Sequence, residues 1–452
     1  MPVAVRDAHD AGEPRGQHAV NDAFAMTAST STAASYYAAS AAARPSCAIM
    51  QGALRCDVAV VGGGITGLSA ALHLGARGYD VVLLEGDVLA AGASGRSGGQ
   101  VLPGYACSLA TLARHLPAAD VRRLWDMSRA AVALTRELIS HHAIACDWHV
   151  GHLDTAVKSR QRAELAALAA LLARDFGTSH LELLEGQALA REIVSPRYCA
   201  GLYDGHAGHL HPLNYTLGLA HAAQAVGVRL FEHSPVLELL SAGEPQLRTA
   251  MGTVRAAHVV LAQNTGRPVL NRALRAKIMP VGTYIAATAP LGEDRARALL
   301  PGDAAVCDIN FVLDYFRRSA DHRLLFGGRV SYSGLTPPRL AHSMRARMLR
   351  VFPSLSEVAL EYVWGGEVDI TLNRAPHFGV HDGRVLYAQG FSGHGLALAA
   401  LAGKLMAEAV AGQRERFDLF SRIPHRDFPG GLWLRTPLLV LAMLYYRLRD
   451  LL

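Results

Sequence analysis

Cysteine is scarce in this chain and poorly placed for cross-linking. The six residues lie at 47, 56, 107, 146, 199 and 307, with no C-x-x-C pair and no compact framework. That argues against zinc and for a reducing, cytoplasmic setting. Charge is also thin, at 18% of residues against 51% hydrophobic, the balance of a globular chain. The net +6 comes from Lys and Arg scattered along the sequence rather than striped, so no nucleic-acid partner is expected. Solubility or attraction for anionic ligands accounts for it. The first fifty residues contain no apolar core of a signal peptide. The C-terminal apolar run 437–446, between Arg435 and Arg447, falls short of the roughly 20 residues a spanning helix needs. It reads as a packed terminal helix, with a helix lying in a membrane surface as the disfavoured alternative. His141-His142 and His209-Leu210-His211 lack a convincing metal-ligand set, and no internal repeat is visible.

What is present is concentrated between Cys56 and Gln100. Residues 58–61 form a short β-branched run, as in a buried parallel strand. Gly62-Gly63-Gly64-Ile65-Thr66-Gly67 then fits the G-x-G-x-x-G dinucleotide fingerprint. Gly62 permits the tight turn, Gly64 lets backbone approach a pyrophosphate, and Gly67 lets helix pack close to strand. A helix predicted over 66–77 aims its positive end at that pyrophosphate. A second strand over 80–84 ends in Glu85, eighteen positions past Gly67, near the offset at which an acid meets a ribose hydroxyl. An ordinary βαβ unit without cofactor is the competing reading. The complete order of strand, turn, helix, strand and acid favours a dinucleotide site.

At 452 residues the chain suggests two domains. Residues 1–50 are rich in Ala, Ser and Thr and are expected to lack fixed structure before about 27, with Met26 a possible start. The nucleotide domain is expected in three pieces, 51–105, 205–276 and 365–412, including strands near 228–231, 236–240, 255–262 and 385–388. A second domain is expected over 106–204 and 277–364, with helices over 120–142 and 159–176 and a β-rich stretch from 277. Residues 413–452 form a tail or helix.

No second glycine fingerprint appears, so a disulfide reductase that also binds a nicotinamide is not expected. Instead Ala93-Ser94-Gly95-Arg96-Ser97-Gly98-Gly99-Gln100 follows the second strand. Small residues let such a loop lie flat along a pyrophosphate and ring system, and Arg96 would pair with phosphate oxygens. As a solvated loop arginine it would mean nothing. Residues 390–395 open a helix over 396–410, a second positive end suited to the anionic edge of a reduced flavin. A plain strand-to-helix turn is the alternative.

These motifs resemble the glycine/D-amino-acid-oxidase superfamily of FAD enzymes, and within it the gamma-glutamylputrescine oxidase family. The narrower resemblance rests on Ser35-Tyr36-Tyr37-Ala38-Ala39-Ser40, the Gly92 to Gln100 loop, and His209-Leu210-His211-Pro212-Leu213-Asn214-Tyr215. It rests further on Trp364-Gly365-Gly366 with Asp369-Ile370-Thr371-Leu372-Asn373-Arg374-Ala375-Pro376, and on Ile423-Pro424-His425, Phe428-Pro429-Gly430-Gly431 and Tyr446-Arg447-Leu448-Arg449-Asp450. Ser97 departs from the asparagine common in the family. The implied fold is α/β, a Rossmann-type FAD-binding domain interleaved with an α+β substrate domain containing an antiparallel sheet.

The resemblance implies that Gly62, Gly64, Ile65, Thr66, Gly67, Glu85 and Arg96 hold FAD noncovalently, with Ser97, Gly98 and Gly99 near the flavin ring. It implies backbone contacts from Val236 and Ala262 on the adenosine side, and Gly393, His394 and Gly395 facing the pyrimidine edge. Related sarcosine oxidases carry a substrate-carboxylate lysine where this chain has Ala397, which argues against a small α-amino acid. The implied reaction takes hydride from a primary amine to the flavin. The resulting imine hydrolyses to aldehyde and ammonia, and O2 is reduced to H2O2, as in putrescine catabolism. His394 would orient substrate or tune the flavin, Tyr284 would line the pocket, and Glu367 or Arg374 would meet charged substrate groups. Two rivals stand beside this: a D-amino-acid or N-methyl amino-acid (sarcosine-like) dehydrogenase passing electrons to a quinone, and a non-catalytic FAD-binding module.

Overall fold

The computed structural model describes residues 35–263, 272–310, 312–331 and 336–429. The extension before residue 27, the loop at 264–266, the motifs at Gly430-Gly431 and 446–450 and the run 437–446 lie outside them. In chain order the first strands are β1 (Gly52–Val61), β2 (Val81–Leu84), β3 (Gln100–Val101), β4 (His149–Ala156), β5 (Glu182–Leu184), β6 (Ala200–His209), β7 (Arg229–Phe231), β8 (Glu238–Leu240) and β9 (Gln246–Arg248). There follow β10 (Gly252–Leu261), β11 (Ile278–Thr288), β12 (Ala305–Asp308), β13 (Tyr315–Arg318), β14 (Leu324–Ser331), β15 (Leu360–Thr371), β16 (His377–His381) and β17 (Val385–Gln389).

The first sheet runs β16-β17-β10-β1-β2-β7, with the β8–β9 hairpin attached to β10. Its five strands from β17 to β7 are parallel. Val58 to Val61 and Val81 to Leu84 are buried, as strands covered on both faces must be. The chain leaves β1 toward β2 and β7, then returns through β10 to β17, so the order reverses between β1 and β10. In such sheets ligands bind beyond the strands' carboxyl ends at this reversal. The helix Ile65–Gly75 follows β1, and the helix Leu396–Val410 packs against it. The Ser69 hydroxyl donates to Ala400 O at 2.6 Å across that contact.

The second sheet runs β15-β11-β14-β13-β12-β4-β6-β3, with β5 on β6. It is antiparallel except where β12 meets β4. One face buries Leu153, Val306, Phe316, Phe326 and Ala286 with Met344 and Met348 of the helix Leu340–Val351. On the other face one cross-strand row runs Asp154, Cys307, Tyr315, Gly327, Ile285 and Trp364, each opposite the next. Directly opposed residues share a face, so this row faces away from that helix-backed cluster.

The joints expected at 204/205 and 364/365 fall inside β6 and β15, both of which stay in the second sheet to their ends. A strand keeps its ladder until something interrupts it. Here the crossings wait for Pro212, which opens the helix Pro212–Ala225, and for the turn before β16. Among the described residues no single helix is long and apolar enough to cross a membrane. Leu396–Val410 is apolar because almost all its residues are buried in the core.

Candidate functional site

The fingerprint turn is built by contacts that no larger residue would permit. Gly62 sits at φ 110°, and a Cβ there would lie 2.7 Å from Ala262 O of the neighbouring strand end. A Cβ on Gly67 would lie 1.9 Å from Gly62 O. Gly64 caps the helix without a side chain, and Ile65 N donates to the Ser94 hydroxyl at 3.0 Å. Ile65 and Thr66 are buried in the first turn. The Glu85 carboxylate accepts from Gly63 N at 2.7 Å and Asp87 N at 2.8 Å, which ties the acid to the glycine turn. Ser234 N donates to Glu85 O at 2.7 Å, bringing the approach to Val236 to the same edge. Ala262 N is held by Val61 O at 2.9 Å.

The loop after β2 is pinned on three sides. Arg96 is buried, its Nε donating to Gly365 O at 2.5 Å while Trp364 Nε1 donates to Arg96 O at 3.1 Å. No carboxylate among the described residues pairs with it, and burial lowers its pKa. A desolvated cation without counter-charge is unfavourable on its own and fits an anionic ligand. Ser97 Oγ is buried with no hydrogen-bond partner. Gly99 has φ 76° and would place a Cβ 2.2 Å from Leu210 O. The same loop is held by Arg317, which sequence reasoning missed. Its Nε donates to Gly98 O at 2.9 Å, and its Nη2 donates to Leu210 O at 2.8 Å and Tyr37 OH at 3.1 Å. As half of Arg317-Arg318 it looks like a solvated pair, and only the pleat of β13 turns it inward.

The motif residues Tyr36, Tyr37, Leu213 and Trp364 meet behind this loop. His211 Nδ1 accepts from Asn214 N at 3.1 Å, capping the helix, and its Nε2 lies 3.1 Å from Ser40 Oγ. Burial, then the charge of Arg317, pushes the His211 pKa down to about 3.

After β17 the chain turns sharply through Gly390, Ser392 and Gly393, at φ 75°, 57° and 86°. Asp369 organises this turn: its Oδ2 accepts from Gly390 N at 2.5 Å and its carbonyl accepts from Ser392 N at 2.9 Å. Burial raises the Asp369 pKa to about 6. The residue lies within a recognised motif, but its role appears only when β15 and the turn are placed side by side. His394 follows, its Nε2 2.9 Å from Pro103 O. A carbonyl only accepts, so Nε2 carries the proton and Nδ1 is the acceptor. Burial lowers the His394 pKa, which keeps the ring neutral; Asp154 and His152 of β4 are the side chains whose charge it feels.

The other expected substrate residues are placed elsewhere. Tyr284 belongs to the helix-backed cluster with Phe326 and Met344. Glu367 lies opposite Gly282 and two positions from Gly365, so it shares the Tyr284 face. A Cβ on Gly366, one position on and therefore on the other face, would lie 3.4 Å from Arg96 Cβ. Tyr284 and Glu367 therefore lie on the face of β15 opposite the Gly366–Arg96 contact. Arg374 sits at φ 59° in the turn after β15, its N donating to Thr371 O at 3.1 Å.

The glycine cradle, the unpaired buried guanidinium and the orphaned Ser97 hydroxyl fit an FAD pyrophosphate and ring. Comparison with known proteins agrees. The family model described as FAD dependent oxidoreductase (DAO) matches residues 57–409. The chain is 41% identical over 427 residues to gamma-glutamylputrescine oxidoreductase of Escherichia coli K12, covering 94% of this chain and 99% of that one. It is 38% identical to the probable oxidoreductase OrdL of Haemophilus influenzae, covering 87% and 92%. The crystal structure of glycine oxidase from Geobacillus kaustophilus superposes with a TM-score of 0.68 at 21% identity, over 82% of this chain and all of that one. The chain belongs to the FAD dependent oxidoreductase (DAO) family.

Proposed function

We propose that this FAD-dependent oxidoreductase oxidises a primary amine at its CH–NH2 carbon, with γ-glutamylputrescine or a close analogue as substrate. The observation that carries this is 41% identity along nearly the full length of both chains to the E. coli enzyme. That stretch includes the second sheet, whose open face would shape a substrate pocket. When bound, FAD supplies a two-electron acceptor.

The residues divide the work. Gly62, Gly64, Ile65, Thr66 and Gly67 present backbone to the pyrophosphate, and Glu85 takes the ribose. Val236 and Ala262 flank the adenosine. Arg96, Ser97, Gly98 and Gly99 border the ring, and Gly393 to Gly395 meet its pyrimidine edge with the helix's positive end. His394, fixed through Nε2 by Pro103 O, offers Nδ1 to a substrate N–H and orients the amine. Tyr284 and Glu367 support β11 and β15 from behind, and Arg374 shapes the turn beside Gly390.

In the overall change RCH2NH2 loses two electrons and two protons to give RCH=NH. Water then converts the imine to RCHO and NH3. O2 takes the electrons and protons as H2O2. The unbridged cysteines fit a cytoplasmic, reducing setting. Incubating holoenzyme with γ-glutamylputrescine in an oxygen electrode should give equimolar ammonia, aldehyde and peroxide. Ammonia that forms only with an added quinone or dye would replace the oxidase reading with a dehydrogenase, and no ammonia in either case would overturn amine oxidation.

A further inference from the structure

Asp154 is a charge without a counter-charge. It lies on the face of the second sheet turned away from the helix Leu340–Val351, in the row that continues through Cys307 to Tyr315. Tyr315 in turn touches the flavin-side loop, since a Cβ on Gly98 would lie 2.7 Å from its ring. The Asp154 carboxylate is half-buried and makes no hydrogen bond or ion pair among the described residues. Two positions earlier, on the same face of β4, His152 is only 3% exposed and its Nε2 has no partner. Groups from four elements face this spot: His152 on β4, Asp204 opposite it on β6, Cys307 on β12 and His394 at the start of the closing helix. Burial raises the Cys307 pKa and lowers that of His394, so neither supplies a cation, and Asp204 is already met by His180 Nε2 at 3.1 Å. A half-desolvated carboxylate with no ion pair among the described residues has lost hydration without a compensating cation.

We propose that Asp154, with the orphaned Nε2 of His152 beside it, is the specificity-determining group that holds the cationic nitrogen of the substrate. The proposal deepens the amine-oxidase reading and rests on it for the identity of the ligand: an alkylammonium rather than a carboxylate-anchored amino acid. An ammonium entering beside His394 would donate to the Asp154 carboxylate and to His152 Nε2, satisfying both at once. A neutral alcohol of the same shape donates one hydrogen bond and brings no charge, so it satisfies at most one of the two. Asp154 is in this sense a selector, separate from the groups that orient the cofactor.

The test uses holoenzyme with its flavin bound. Oxidised-flavin absorbance is titrated anaerobically with n-butylamine and with 1-butanol, and initial rates are measured with γ-glutamylputrescine. Wild type should bind the amine at least about tenfold more tightly than the alcohol, and Asp154→Asn should abolish that preference without changing affinity for butanol. The variant should raise KM for γ-glutamylputrescine about tenfold or more while kcat changes less. If Asp154→Asn fails to retain flavin, Asp154→Glu keeps the charge but moves it, and the amine affinity should shift while the alcohol affinity holds. Equal amine and alcohol affinities in wild type, or an unchanged KM in the variant, would overturn the proposal. Wild-type flavin that no amine reduces, yet whose cation preference still depends on Asp154, would sink the oxidase reading and leave this one standing.

Discussion

At the scale of single residues, the site is governed by atoms that cannot be added. The Gly67 Cα and Gly62 O are so close that a methyl would lie 1.9 Å from that oxygen. Both atoms belong to backbone, so neither can swing aside. Gly67→Ala should therefore displace the first helical turn and the N–H groups proposed to meet the pyrophosphate. We expect purified Gly67→Ala to carry under about a tenth of the wild-type flavin per chain, with the rest of the protein folded. Wild-type flavin content, measured by absorbance at constant protein, would show that the close approach is irrelevant. The tight turn of these glycines was legible because its geometry is local in sequence. Arg317 and Asp369 were not, because each acts on backbone far away in the chain: Gly98 and Leu210 for one, Gly390 and Ser392 for the other.

Secondary-structure elements were read well where one period dominates. The helices Ser159–Phe176 and Leu396–Val410 match the expected spans, since uninterrupted apolar spacing leaves a single solution. The roles of Tyr284 and Glu367 turned instead on which way the pleat of β11 and β15 points, and a strand read without its partners has no inside. The segment around Tyr36 illustrates a coupling between elements. His211 caps the helix Pro212–Ala225 and also meets Ser40, so the ring joins the helix to the N-terminal strap only while Nδ1 accepts a hydrogen bond. Its pKa falls from 6.5 to about 3 on folding, so the folded state favours the neutral ring. That contribution is complete above pH 6.5 and is lost as pH falls toward 3, amounting to about 2 kcal/mol by pH 5. His211→Ala should cost about 1 kcal/mol or more at pH 8 through the lost cap. The variant lacks that titration, so its deficit in thermal midpoint should shrink as pH falls and vanish or reverse by pH 5, where the loss of about 2 kcal/mol exceeds a cap worth about 1. A constant difference across that range would mean that His211 titrates normally. Comparison with the variant is needed because His377 is also depressed, to about 3, and His73 to about 4.

For the whole molecule, function follows from where two sheets meet. The parallel sheet sets Gly62, Glu85, Ala262 and Gly390 at the carboxyl ends of four strands, on the side where strand order reverses. The antiparallel sheet turns its open face, with Asp154 and Tyr315, toward the loop that carries Gly98. The interleaved plan was visible in the return of strand-and-helix patterns late in the chain. The positions of the crossings were not, because no local signal marks where a long strand such as β15 ends its ladder. The central claim is that an amine bound between these sheets reduces FAD held by the glycine turn. The most direct measurement is anaerobic addition of γ-glutamylputrescine to the yellow holoenzyme, followed at the flavin absorbance band. The account predicts complete bleaching with about one equivalent of substrate and no bleaching by sarcosine. Holoenzyme that stays yellow with the amine, or that bleaches only with sarcosine or a D-amino acid, would contradict it.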